Sequence, residues 1–164
     1  MTRFTPGPDT ARAFRDALGR FATGVTVVTC NTARGPLGIT ANSFASLSLD
    51  PPLVLWSPAR ASRRFEAFAT AKHYAIHILS AEQQALCERF AKEGDDFAGL
   101  DWAPGANDVP LFPDCLARFE CTRHAIHEGG DHAIIVGRVT QAEMTTGDPL
   151  LFAGGRYGGF ADAP

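Results

Sequence analysis

Hydroxyl and amide side chains alternate with small residues along positions 38–48 (GITANSFASLS). Small residues let a flat ligand approach the backbone, and the polar side chains offer donors and acceptors to its edge. The segment is therefore typical of a wall that binds a planar heterocycle with carbonyl and N–H groups along one rim. A hydroxyl-rich edge strand would have the same composition, which alone does not separate the two interpretations. The candidate binding residues are Thr40, Ala41, Asn42, Ser43 and Ser46.

Positions 57–63 (SPARASR) precede and enter a predicted helix. Free N–H groups at a helix start, together with hydroxyls and a guanidinium, can bind a phosphate group. The candidates are Ser57, Arg60 and Ser62. Ordinary N-capping by either serine is the simpler interpretation of these residues taken alone.

Two glycine-rich turns carry further reactive side chains. His132 follows Gly130 and Asp131, and Arg156 and Tyr157 lie between glycines near the C-terminal end. The two turns could place an imidazole, a guanidinium and a phenol beside a bound ring, although turn chemistry alone explains each of them.

A metal site is not expected. Cys121, His124 and His127 are spaced like zinc ligands, and Cys115 lies nearby, but they fall on a predicted strand. Alternation points His124 away from the other two, and Cys121 and His127 would stand on the order of 20 Å apart. The chain also has no G-x-G-x-x-G or P-loop motif, so any nucleotide phosphate is bound in another way.

Composition limits the class of protein. The 164 residues are 45% apolar and carry a net charge of −3. This length predicts one domain, 1–164, and the charge argues against nucleic acid or an anionic membrane as partner. The sequence shows neither a signal peptide nor an apolar stretch of membrane-spanning length, and its four scattered cysteines do not form a disulfide framework. We expect a cytoplasmic protein.

Periodicity and turn residues predict a mainly β fold. A helix is predicted from Asp9, with apolar positions Phe14, Ala17, Leu18 and Phe21 on one face. Strands are predicted over 23–30, 37–49, 53–56, 72–79, 116–127 and 132–144, helices over 60–71 and 80–91, and a long ordered loop over 95–114. Because the elements do not alternate as βαβ units, we expect an antiparallel sheet closed as a barrel with helices packed outside.

Taken together, these segments resemble the flavin reductase-like family with the FMN-binding split barrel. The resemblance runs from about Phe14 to Phe160. It is carried by the 38–48 segment with Pro51-Pro52-Leu53-Val54, by Phe90-Ala91, Asp96-Phe97 and Phe119-Glu120-Cys121, and by Gly130-Asp131-His132, Gly137-Arg138-Val139, Pro149-Leu150-Leu151-Phe152 and Arg156-Tyr157-Gly158.

The resemblance implies a homodimeric enzyme that uses NADH or NADPH to reduce FMN or FAD for a separate flavin-dependent monooxygenase. By analogy, Thr40 to Ser43 and Ser46 line the isoalloxazine and ribityl chain, and Phe90 borders the flavin. Ser57, Arg60 and Ser62 meet its phosphate, while His132 and Tyr157, with Arg156, lie near the nicotinamide. His132 is expected to position the nicotinamide, because hydride transfer needs no acid.

Two other functions remain open from sequence. One is a non-catalytic flavin-binding carrier or sensor. The other is a split-barrel reductase that keeps its flavin tightly bound and acts on another substrate.

Overall fold

The computed structural model describes residues 1–161. Its strands form in segments that are rich in β-branched and aromatic residues. The strands are β1 (Thr23–Gly24), β2 (Thr26–Thr32), β3 (Gly35–Ala41), β4 (Ala45–Leu49), β5 (Pro52–Trp56), β6 (His73–Ile78), β7 (Ala103–Pro104), β8 (Pro110–Leu111), β9 (Ala117–Gly129), β10 (His132–Met144), β11 (Leu151–Ala153) and β12 (Arg156–Gly158). The helices are α1 (Ala11–Leu18), α2 (Phe65–Thr70) and α3 (Gln84–Lys92).

Seven strands form one antiparallel sheet in the order β3-β2-β6-β9-β10-β5-β4. A small sheet joins β1, β11 and β12, and β7 pairs with β8. The mainly β, antiparallel prediction is confirmed. The two edge strands of the large sheet, β3 and β4, follow one another in the chain and are separated by residues 42–44.

Strand β2 is buried on both of its faces. Val28 and Cys30 belong to a cluster that also contains Trp56 and Ile135 from strands at the other end of the sheet. Val27 belongs to a second cluster beneath α3 and the C-terminal segment. Residues 26–30 of β2 are accordingly all buried, including Thr26 and Thr29.

Helix α3 packs on the second cluster, close to its predicted place. Ser80 N–H donates to Gln83 Oε1 at 3.0 Å, which confirms the predicted capping box. Cys87 and Phe90 are the buried side chains of the helix. A Cβ atom at Gly38 would lie 2.5 Å from the Phe90 ring, so the glycine lets β3 approach the helix closely.

Helix α1 forms where the periodicity predicts it, but it does not pack on the sheet. It has no buried residue, and Phe14 and Leu18 are 42% and 60% exposed. Helices were expected to pack outside the sheet, and α1 buries none of its side chains there. Periodicity identifies an apolar face without identifying what covers it.

Three predicted boundaries also differ. The strand predicted over 37–49 is interrupted at 42–44, the helix predicted over 60–71 begins only at Phe65, and the 95–114 loop contains β7 and β8. The hairpin of β9 and β10 is confirmed, with Gly130 at a φ of +73° in its turn. Within residues 1–161, no helix has both the length and the apolarity needed to span a membrane.

Candidate functional site

A cavity of about 150 Å³ lies where β3 meets the C-terminal hairpin of β11 and β12. It is lined by Val25, Thr40, Ala41, Asn42, Phe152 and Tyr157. The structure therefore brings together three of the predicted ring-binding residues and Tyr157. Phe152 and Val25 were not predicted, although Phe152 lies in a quoted motif and pairs with Tyr157 across the hairpin.

Thr40 and Asn42, the two polar side chains on the β3 side of the cavity, differ in how many hydrogen-bonding groups they leave for a ligand. The Thr40 hydroxyl donates to the Cys87 carbonyl oxygen at 2.6 Å, which leaves its oxygen able only to accept. The Asn42 side chain is exposed and has no hydrogen-bond partner among residues 1–161. Asn42 can therefore offer two donors and an acceptor to a ligand in the cavity.

Ser43 is used by the fold itself. Its hydroxyl accepts the Ser57 N–H at 2.9 Å and donates to the Ser57 carbonyl oxygen at 3.1 Å. Its only hydroxyl proton is therefore committed, and the expected role of Ser43 as a donor to a bound ring is not supported. Ser46 lies exposed on edge strand β4, opposite Val54.

Tyr157 is held by a sulfur atom. Cys87 Sγ and Tyr157 Oη share a hydrogen bond at 3.2 Å, and the Phe152 ring centroid lies 5.2 Å from that of Tyr157. Two main effects raise the pKa of Tyr157 to about 12: the larger is the hydrogen bond with Cys87, and the smaller is burial. The phenol is therefore neutral at physiological pH. Sequence reasoning missed Cys87, since nothing local links a mid-helix cysteine to a tyrosine 70 positions away.

Arg60 and His132 lie together at the tip of the β9–β10 hairpin. Arg60 Nη2 donates to Glu128 Oε2 at 2.6 Å, and the Arg60 N–H donates to the Asp131 carbonyl oxygen at 2.8 Å. His132 Nδ1 lies 2.8 Å from Asp131 Oδ1, an interaction that lowers the pKa of Asp131. The Arg60 guanidinium, one of the predicted phosphate-binding groups, thus already forms an ion pair with Glu128 at the protein surface.

Ser62 faces a different group of cations. It lines a cavity of about 520 Å³ whose basic residues are Arg34, Arg63, Arg64 and Lys92 and whose acidic residues are Glu93 and Asp95. Arg64 donates to the Gly38 and Phe90 carbonyl oxygens and so braces β3 against α3. The helix start expected here is absent, because α2 begins at Phe65.

Phe90 and Arg156 occupy contrasting positions. Phe90 has no exposed surface and packs among the second core cluster, so the expected direct contact with a flavin is not supported for this chain. Arg156 is exposed and lines a cavity of about 340 Å³ with Arg15 and Arg20. Phe152 lines this cavity as well as the one beside Tyr157.

No group of three or more His, Cys, Asp or Glu side chains within residues 1–161 is placed to hold a metal ion. Cys30, Cys87, Cys115 and Cys121 are all free and buried. Burial raises the pKa of each thiol, so none is a ready nucleophile.

Comparison with known proteins places this geometry in a family. Residues 18–161 match the family described as flavin reductase like domain. The chain is 57% identical over 158 residues to the FMN reductase (NADH) SmoA of Agrobacterium fabrum, covering 96% of this chain and 91% of that protein. It is 41% identical over 150 residues to HsaB of Rhodococcus jostii, the reductase subunit of a flavin-dependent monooxygenase, covering 90% and 77%.

A solved structure of the NADH:FAD oxidoreductase SgcE6 from Streptomyces globisporus C-1027, in complex with NAD and FAD fragments, has a TM-score of 0.89 at 36% identity. The match covers 97% of this chain and 98% of that one. The resemblance read from the sequence motifs is thus confirmed. The chain belongs to the flavin reductase-like family.

Proposed function

We propose that this chain is an NADH-dependent flavin reductase whose flavin ring is bound at the cavity formed by Thr40, Ala41, Asn42 and Tyr157. The observation that carries the proposal is the unused Asn42 amide at a cavity whose other walls are small, hydroxyl-bearing or aromatic. The relatives support both the reaction and its reactants. SmoA is named for FMN and NADH, and the SgcE6 structure contains NAD and FAD fragments.

The donor set fits a flavin. A bound flavin supplies the acceptor for a hydride from the nicotinamide. Ala41 leaves room for a flat ring, and Asn42 can donate to its polar edge. A donor so placed stabilises the negative charge that develops on reduction.

The remaining polar side chains position the second reactant. Tyr157 stays protonated and so acts as a neutral hydrogen-bonding group rather than a base. His132 Nδ1 is hydrogen-bonded to Asp131, so Nε2 is the ring nitrogen that remains for a ligand. We propose that both side chains, with Arg156, orient the nicotinamide.

The phosphate of the flavin is bound on the Ser62 side of the turn. Ser57 and Arg60 remain near this turn, but Arg60 is paired with Glu128. Arg34, Arg63 and Lys92 form no ion pair within residues 1–161 and share the cavity with Ser62. They are therefore the better cations for a phosphate.

A second copy of the chain completes the site. The ring cavity of about 150 Å³ is smaller than the range of about 300–1,000 Å³ usual for ligand sites. Leu47 and Leu49 on edge strand β4 are 50% and 97% exposed, beside the segment that carries Asn42. We propose a homodimer that covers β4 and closes over the flavin.

The sheet itself is proposed to close as a split barrel. One core cluster contains Ile39 from edge strand β3 and Val54 from β5, next to the opposite edge, as a sheet rolled around one core requires. A single domain over 1–164 is supported by β2, which contributes to both clusters. The four free cysteines support a cytoplasmic location, and the HsaB relationship supports a partner monooxygenase that receives reduced flavin.

Flavin titration tests the site directly. Asn42→Ala should weaken FMN binding about fivefold to tenfold, the loss of one or two hydrogen bonds, without lowering stability. Asn31→Ala, an exposed asparagine at the end of β2, is the matched control. Equal FMN affinity in both variants and the wild type would refute the ring assignment.

A further inference from the structure

We propose that Cys87 is a positioning residue for the reductase reaction, because its thiol fixes the Tyr157 hydroxyl at the wall of the ring cavity. The inference rests on the proposed function, in which Tyr157 helps to orient the nicotinamide.

Two sides of the ring cavity, formed by Thr40 of β3 and Tyr157 of β12, are both hydrogen-bonded to Cys87. The Cys87 carbonyl oxygen accepts the Thr40 hydroxyl at 2.6 Å, and Cys87 Sγ lies 3.2 Å from Tyr157 Oη. Cys87 itself is fully buried in α3, a helix that is packed on the core. Helix α3 thus contacts β3 through the Cys87 carbonyl oxygen and β12 through the Cys87 thiol.

The contact with Cys87 matters for Tyr157 because little else in its surroundings orients the hydroxyl. Strand β12 has three residues, lies at the edge of its small sheet and pairs there with β11. Phe152 packs beside the Tyr157 ring but cannot direct its hydroxyl. Within residues 1–161, the thiol is the one hydrogen-bond partner of the Tyr157 hydroxyl.

The pair is neutral. Burial raises the pKa of the Cys87 thiol. The hydrogen bond between Cys87 and Tyr157, together with burial, raises the pKa of Tyr157 to about 12. Neither group carries charge at physiological pH. The thiol therefore acts as a hydrogen-bonding partner and not as a nucleophile.

Ionisation of Tyr157 tests the contact without reference to activity. The chain has two tyrosines, and burial also raises the pKa of Tyr74, so phenolate absorbance at pH 10 reports on Tyr157. With a pKa of about 12, the wild type should hold about 1% phenolate at this residue. Cys87→Ala should bring the phenolate toward half of one tyrosine, since an unperturbed tyrosine titrates near pH 10.

Two further variants control this measurement. Cys87→Ser keeps a hydrogen-bonding group and should stay closer to the wild type than Cys87→Ala does. Cys115→Ala, another buried cysteine truncation away from the cavity, should match the wild type. Circular dichroism at pH 10 confirms folding, and Cys87→Val, which fills the volume without an equivalent partner, replaces any alanine variant that unfolds. A folded Cys87→Ala or Cys87→Val protein with no more phenolate than the wild type would overturn the inference.

Kinetics test the positioning role. Cys87→Ala should lower kcat/KM for NADH about fivefold, as expected for one neutral hydrogen bond, and Cys87→Ser should restore part of this loss. In a Tyr157→Phe background the same cysteine change should have no further effect, because the partner hydroxyl is gone. An equal loss in both backgrounds would overturn the inference alone. Unchanged kinetics in Tyr157→Phe itself would instead refute the proposed role of Tyr157, and this inference with it.

Discussion

The Ser43 hydroxyl is hydrogen-bonded to both backbone groups of Ser57, accepting the N–H at 2.9 Å and donating to the carbonyl oxygen at 3.1 Å. This pair ties the 42–44 connection between β3 and β4 to the residue that follows β5. Asn42, the proposed ring-edge donor, immediately precedes Ser43. The polar composition of the segment thus serves the fold at Ser43, and we propose that it serves ligand binding at Asn42.

Ser43→Ala should therefore lower the stability of the fold more than it lowers the rate of flavin reduction. Removing the hydroxyl leaves the Ser57 N–H and carbonyl without this partner, and we expect a loss of about 1–2 kcal/mol in the free energy of unfolding. Urea denaturation measures it. Ser46→Ala, on an exposed position of β4, is the control and should stay within about 0.5 kcal/mol of the wild type.

The phosphate assignment predicts a difference between two flavins. Arg63→Ala should weaken binding of FMN severalfold and leave binding of riboflavin, which has no phosphate, unchanged. Arg138→Ala, on an exposed position of β10, is the control. If Arg63→Ala weakens both flavins equally, the cation does not contact the phosphate.

His132 and Tyr157 should affect catalysis more than flavin binding, because Tyr157→Phe keeps the aromatic ring that lines the proposed flavin cavity and removes only its hydroxyl. The pair His132→Gln and Tyr157→Phe should lower kcat/KM for NADH at least tenfold, since misplaced reactants lose rate steeply. FMN affinity should change less than twofold in the same protein. Unchanged turnover in the double variant would show that neither side chain serves the nicotinamide.

The proposed dimer predicts sensitivity to charge on β4. Leu47→Glu with Leu49→Glu should convert a dimer to a monomer in sedimentation experiments and reduce flavin affinity in parallel. Met144→Glu, an equally exposed apolar position at the end of β10, is the control. A wild-type monomer with full flavin affinity would contradict the proposal.

Buried His77 predicts a dependence of stability on pH. Its Nδ1 lies 3.0 Å from the Val27 carbonyl oxygen, the Phe112 N–H donates to its Nε2 at 3.2 Å, and burial lowers its pKa to about 4. An unfolded histidine titrates near 6.5, so below that pH the unfolded state binds a proton that the folded state does not. The contribution of neutral His77 to the free energy of unfolding is therefore fully present above about pH 6.5, and it falls as the pH drops toward 4.

We expect a loss of about 2 kcal/mol between pH 7.5 and pH 5, measured by urea unfolding at both values. His77→Gln should reduce this difference, whatever its effect at neutral pH. A wild-type stability that is equal at the two pH values would contradict the assignment.

The sequence was most informative where local signals agree. The capping box at Ser80 and the hairpin turn at Gly130 depend on neighbouring residues, and both were predicted close to their observed places. The roles of Ser43 and Arg60 were harder to predict because their partners, Ser57 and Glu128, lie 14 and 68 positions away. Helix α1 shows the same limit, since its apolar face is evident from the sequence but its side chains are not buried in the fold.

We propose that the protein reduces flavin as an exchanging substrate, and the decisive measurement is NADH oxidation by the purified protein with and without added FMN or FAD. We predict a rate that requires added flavin, saturates with it and continues for many turnovers per subunit. A protein that binds flavin but oxidises neither NADH nor NADPH when flavin is added would refute the proposed reductase function and favour a carrier or bound-flavin function.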